Sequence, residues 1–236
     1  NQAFCKDMQD WNRVTDQIWV WNYNTNFRKY DLPFPNLHSI GPNVDFFLQS
    51  GVKGLFMQAN NNSLAGEMSD LRNYVISRCL WKPGLDSWKL AHEFCQLHYG
   101  KAAAPIVRHL TRIHAAAERA GQHPNCFQRP RNIGLTEEIC RKSFDDFQEA
   151  LDLAENAQIR ARVEKASISA YRAMLEVCGK WTTVEGKQRL VLPADCRDLA
   201  GEYIALCQRY QMTMAAETMP AAKYFDQIRQ TDTAAE

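Results

Sequence analysis

Several features that would each point directly to a chemistry are missing from this chain. No two of its eight cysteines stand at C-x-x-C spacing, so the sequence offers neither a zinc site nor a redox dithiol. Cys5, Cys79, Cys95, Cys126, Cys140, Cys178, Cys196 and Cys207 are instead scattered, several on apolar helical stripes where a reduced thiol acts as a small hydrophobe. An excess of charge is missing too. With 28 Lys and Arg against 27 Asp and Glu, a net charge of +1 makes no field that would gather nucleic acid or an anionic membrane. No apolar run approaches the length of a membrane span. His92, His98, His109 and His114 form no i,i+4 pair and no H-E-x-x-H, so neither a metal nor another cofactor is expected. The opening Asn1-Gln2-Ala3-Phe4 has no signal-peptide pattern, and the expectation is that the chain continues upstream.

What is present divides into two kinds of pattern. Phe4, Met8 and Trp11 share a helical face, after which Ile18-Trp19-Val20-Trp21 reads as a short strand. Following a loop of Asn, Tyr and Pro, the apolar positions Val44, Phe47 and Leu48 predict a helix from Pro42, in its first turn, to Ser50-Gly51. Val52 to Gln58 is the next strand, so residues 17–22 and 52–58 should lie parallel and adjacent in a βαβ unit. Beyond residue 65 the pattern is helical. Leu71, Tyr74, Val75 and Cys79 line one helix that stops at Lys82-Pro83-Gly84, and two more should pair across a Tyr99-Gly100 break. Gly121 to Gly134 reads as a linker, Thr136 as the cap of a helix answered by Ile159, Val163, Ala166, Ala170 and Met174 on the next. A small hairpin around Glu185-Gly186, a helix through Leu199, Tyr203, Leu206 and Tyr210, and a tail frayed beyond Pro220 complete the reading.

Aromatic and amide side chains crowd the ends of the two strands. Aromatic faces cover the apolar C–H patches of a sugar ring, while Asn and Gln offer paired donors and acceptors to its hydroxyls. Trp21, Tyr23, Asn24 and Asn26 from the first loop, with Gln58, Asn60 and Asn61 from the second, are therefore candidate substrate-binding residues. Packing is the competing reading for Trp19 and Trp21, and turn formation for the asparagines. Glycoside hydrolysis needs two carboxyl groups flanking the scissile bond. Neither strand end carries one. Asp31 is the nearest acid and the candidate for a catalytic role, whereas Glu67 and Asp70 suit the N-terminus of their helix. Arg72 and Arg78 could each bind a carboxylate, of a uronic acid or of an ion-pair partner.

The ordered motifs WNYNTNF, PFPNLHSIGPNVDFF, GVKGLFMQ and GEMSDLRNYVISRCLWKP carry a resemblance. Over roughly residues 1–115 the chain resembles the bacterial family of domain of unknown function (DUF) 4838, found in glycoside-hydrolase-like proteins similar to α-glucuronidases and β-hexosaminidases. The resemblance implies an α/β fold class: residues 1–84 as the last two parallel strands of a (β/α)8 TIM-type barrel, and residues 85–236 as an all-α extension of helix hairpins. It implies a glycan substrate, with a uronic acid or an N-acetylhexosamine as the class, upstream barrel strands as structural partners, and an extracytoplasmic location, periplasmic or cell-surface. Catalytic carboxylates would then lie upstream, and this chain alone would bind glycan and hydrolyse none. Met57, standing where relatives offer an acid, departs from the family pattern. Two alternatives follow from the residues: a non-catalytic glycan-binding barrel, or a helical module in 85–236 that docks a partner through an exposed apolar stripe.

Overall fold

The computed structural model describes residues 2–60, 63–121, 123 and 125–229. Its fold is mixed α/β and mainly helical. Helix α1 (Gln2–Val14) leads into β1 (Ile18–Tyr23), then α2 (Leu37–Gln49) and β2 (Val52–Gln58). The two strands pair in parallel as expected, with Trp19 opposite Gly54, Trp21 opposite Phe56 and Tyr23 opposite Gln58, after a register shift next to Ile18. Among the described residues they form a two-stranded sheet.

Helix α2 starts five residues before Pro42, so the proline sits inside the helix rather than in its first turn. Its missing N–H leaves the His38 carbonyl without the usual partner one turn on. The N-terminus is secured from outside: the Leu37 N–H donates to His114 Nε2 at 3.2 Å, while Asn36, the cap residue, is held through its side-chain oxygen by Arg72. The expected stripe on α1 is only partly used. Met8 is buried with Ile18 and Phe47, but Trp11 is 60% exposed.

The helical remainder comprises α3 (Ser69–Trp81), α4 (Ser87–Tyr99), α5 (Ala103–Arg119), α6 (Glu137–Asp152) and α7 (Ala157–Cys178). The break between α4 and α5 falls at Gly100, whose φ of +55° suits glycine. Thr136 caps α6 as predicted, its hydroxyl accepting from the Ile139 N–H. One apolar core runs from Leu37 and Val44 through Leu71, Ile106 and Phe147 to Ala170, drawing on both sides of residue 84.

The hairpin is present as β3 (Lys180–Val184) and β4 (Lys187–Val191), turning through Glu185 and Gly186, both with positive φ. Helix α8 (Arg197–Arg209) follows, then β5 (Met214–Ala216) and β6 (Met219–Pro220). Two expectations are corrected here. Residues Ala221–Ile228 form α9 instead of fraying, because Tyr224, Phe225 and Ile228 share a face and are buried in a second core, while the part of that tail beyond residue 229 lies outside the described residues. The segment expected as a linker packs against the loop after β1: Phe27 N–H donates to the Cys126 carbonyl, and Ile133 is fully buried.

Candidate functional site

In a strand, alternate side chains face opposite sides. Ile18 and Val20 of β1, with Val52 and Leu55 of β2, turn toward α1 and α2. The other face carries Trp19, Trp21 and Tyr23 from β1 with Phe56 and Gln58 from β2. It is uncovered: Trp19, Trp21, Tyr23 and Phe56 are 74%, 62%, 49% and 54% exposed. Two internal contacts order them. Trp21 Nε1–H donates to Gln58 Oε1 at 2.5 Å, and the Trp21 and Phe56 rings meet edge-on with centroids 4.6 Å apart. Gly54 is required here because the Trp19 indole lies across it, with ring atoms 2.0 Å from where a Cβ would stand. The result is an aromatic platform ending in an amide at the C-terminal ends of parallel strands.

The remaining amides point elsewhere. Asn24 and Asn26 are buried. Asn26 Nδ2 donates to the Gln128 carbonyl and its Oδ1 accepts from the Arg28 N–H, so this residue ties the β1 loop to the segment after α5. The Asn24 N–H donates to the Gln58 carbonyl at 2.7 Å, continuing the strand pairing by one residue. Asn60 turns back on its own loop, its amide donating to the Ser63 carbonyl. Asn61 lies outside the described residues. Of the sequence candidates, then, Trp21, Tyr23 and Gln58 come together on one face, with Trp19 and Phe56 added by the register.

The acids are engaged inside the protein. Glu67 pairs with Arg72, which also donates to the Phe34 carbonyl and to Asn36, and so clamps the loop after β1. Burial raises the Glu67 carboxyl above its usual range, against the pull of Arg72. Arg72 is thus a structural ion-pair member, and Arg78 pairs at the surface with Glu93. Asp70 accepts from Lys165. Asp31 is fully buried against α7 and α8, where Tyr203 donates to Oδ2 at 2.5 Å and Arg172 Nη1 lies 3.3 Å from Oδ1. Among the described residues no carboxylate stands at the C-terminal end of either parallel strand, and no group of His, Cys, Asp and Glu could hold a metal ion. No described helix is long and apolar enough to cross a membrane.

No local signal marks Asp31 as an interior residue, since its partners Arg172 and Tyr203 lie over a hundred residues away. Phe56 and Gly54 could have been found from the parallel pairing alone, because a partner opposite Trp21 must share its face.

Residues 1–112 match the model of a family described as a domain of unknown function, DUF4838. No curated protein and no solved structure matches the chain.

Proposed function

We propose that the β1–β2 unit is the closing part of a larger parallel (β/α) sheet in a carbohydrate-active, glycoside-hydrolase-like protein, and that its aromatic platform contributes to a glycan-binding surface. One observation carries this reading: four large aromatic side chains stand exposed on one face of a parallel pair whose other face packs, buried or half-buried, against α1 and α2, with Gln58 bonded to Trp21 at the strand ends. Parallel sheets are ordinarily covered on both faces and have several strands. A two-stranded example with open edges implies further strands, and side chains at the C-terminal ends of such strands are where ligands bind.

The absence of an acid at either described strand end favours a binding role for this chain, with the carboxylates of a hydrolase supplied by other strands of the sheet. A non-catalytic glycan-binding protein is the second reading that this same observation supports. The helical-module alternative lacks its expected stripe, since no large apolar side chain of α8 or α9 is exposed.

The test is titration calorimetry with neutral oligosaccharides, including N-acetylhexosamine oligomers, together with an aryl-glycoside hydrolysis assay. Saturable binding abolished by Trp21→Ala, without turnover, is the expected result. Failure to bind any glycan would remove the reading, and turnover abolished by Asp31→Asn would relocate the active site to the interior.

A further inference from the structure

A second candidate site is a concavity whose charged lining is mainly cationic. It is a cavity of about 470 Å³ between the loop after β1, α7, the β3–β4 hairpin and α9. Its charged lining is Arg28, Lys29, Arg129 and Arg172 against the single carboxylate of Glu176. In a chain with a net charge of +1, four cations around one cavity are a local concentration.

The carboxylate is already saturated. Glu176 Oε1 lies 2.5 Å from Lys29 Nζ and 3.1 Å from Arg172 Nη2, and accepts from the Tyr224 hydroxyl, while Oε2 accepts from Trp181 Nε1–H. Of the cations, Lys29 pairs with Glu176 and Arg172 with both Glu176 and Asp31, which leaves Arg28, Arg129 and the Nε–H of Arg172. Arg172 is 2% exposed and lies flat on the Tyr224 ring, 3.8 Å from its centroid, yet its Nε–H has no hydrogen-bond partner among the described residues. A buried guanidinium donor left unpaired is costly, and such donors ordinarily have an acceptor. Arg28 and Arg129 stand exposed at the mouth with no carboxylate at ion-pair distance among the described residues. The remaining wall is mixed: the Trp181 and Tyr224 rings and the Met219 side chain supply apolar surface, and Gln188 and Gln227 supply amides.

We propose that this cavity is a binding site for a small organic carboxylate whose body presents an apolar face to Trp181. The carboxylate is held by the cationic side of the cavity, where paired N–H donors match its geometry. The apolar face lies on the indole, and the cavity volume suits a molecule of one ring. The site uses none of the residues of the strand-end platform, so the two stand or fall separately.

Lys29 gives the site a pH signature. Its ammonium is pushed down to about 8, first by burial and then by the charge of Arg172, against the pull of Glu176 and Asp31. Arg28, Arg129 and Arg172 stay charged throughout. Carboxylate affinity should therefore fall as pH rises through about 8.

The experiment is titration calorimetry of the whole chain with glucuronate and benzoate, their neutral counterparts glucose and benzyl alcohol, and inorganic phosphate. At least one carboxylate is expected to bind about tenfold or more tightly than its neutral counterpart. The double substitution of Arg28→Ala and Arg129→Ala, both at exposed positions, should weaken it by about tenfold or more, as should Trp181→Leu, while Arg13→Ala on α1 leaves it unchanged. Circular dichroism establishes that the variants are folded. No binding of either carboxylate, equal binding of the neutral counterparts, or tighter binding of phosphate than of both carboxylates would each overturn the proposal.

Discussion

The strand-end platform and the interior around Arg172 both gather aromatic and polar side chains, but they relate to stability in opposite ways. On the platform, Trp19, Trp21 and Phe56 face solvent, and their contacts are with one another. Around Arg172, the carboxylates are buried and defined by their neighbours: Asp31 by Tyr203 and Arg172, Glu176 by Arg172 and Lys29. Burial pushes the Glu176 carboxyl up, yet Arg172 and Lys29 together outweigh it and hold it below its usual range. The fold can lose a platform residue and keep its core. It cannot lose one member of the interior cluster without exposing the desolvation cost of the rest.

The largest effect that would test this contrast comes from Arg172→Met. The substitution leaves the fully buried Asp31 without the Arg172 guanidinium, and such broken buried pairs cost about 3–5 kcal/mol. Urea unfolding should show that loss. Adding Asp31→Asn removes the stranded charge while the Tyr203 hydroxyl keeps an acceptor, so the double variant should recover part of it. A loss below about 1 kcal/mol for the single variant would place the cluster among ordinary surface pairs and dissolve the contrast.

Acid gives the next largest effect, and it acts on the helical core between the two regions. His114 donates from Nδ1 to the Leu110 carbonyl at 2.8 Å and accepts at Nε2 from the Leu37 N–H, an arrangement open only to the neutral ring. Burial holds both His109 and His114 down at about 3. The unfolded chain takes up these protons near pH 6.5 and the folded chain does not, so stability should fall as pH drops from about 6.5 toward 3. At about pH 4.5 the loss is of order 2–3 kcal/mol for each histidine. Urea midpoints across that range measure it, and His109→Phe, which keeps a ring against Phe147, should reduce the slope. An unchanged slope would show that His109 titrates normally.

How much of this was legible in the sequence depended on the range of the interactions. The parallel strands and helices rest on local periodicity and on punctuation such as Tyr99-Gly100 and Thr136, and these were readable. Helix α2 begins before its local signal, Pro42, because its first turn is secured by His114 and Arg72 from distant helices. Asn24 and Asn26 suit a sugar pocket by residue type, and nothing local reveals that Asn26 bonds the distant Gln128 carbonyl or that the Asn24 amide turns to Met57 Sδ. The cavity was invisible for the same reason. Lys29, Arg172, Trp181 and Tyr224 come from four separate elements, and none belongs to a motif. The platform, in contrast, followed from alternation and pairing register, which are properties of adjacent residues.

The smallest expected effect is the most direct probe of the platform. Trp21→Ala removes an exposed ring, its edge-on contact with Phe56 and its bond to Gln58, and each of these contributes modestly at a solvated surface. Stability should change by less than about 1 kcal/mol. Phe47→Ala, on the covered side of the same unit and 5% exposed, should cost about 3–4 kcal/mol because a buried ring leaves a cavity behind. Comparing the two by urea unfolding separates a face that builds the fold from one that is presented by it. Should Trp21→Ala cost as much as Phe47→Ala, the platform would be part of the core of this chain and its exposure would say nothing about a ligand. A large difference in the stated direction leaves the aromatic row unexplained by stability, and binding becomes the property against which its side chains should be measured.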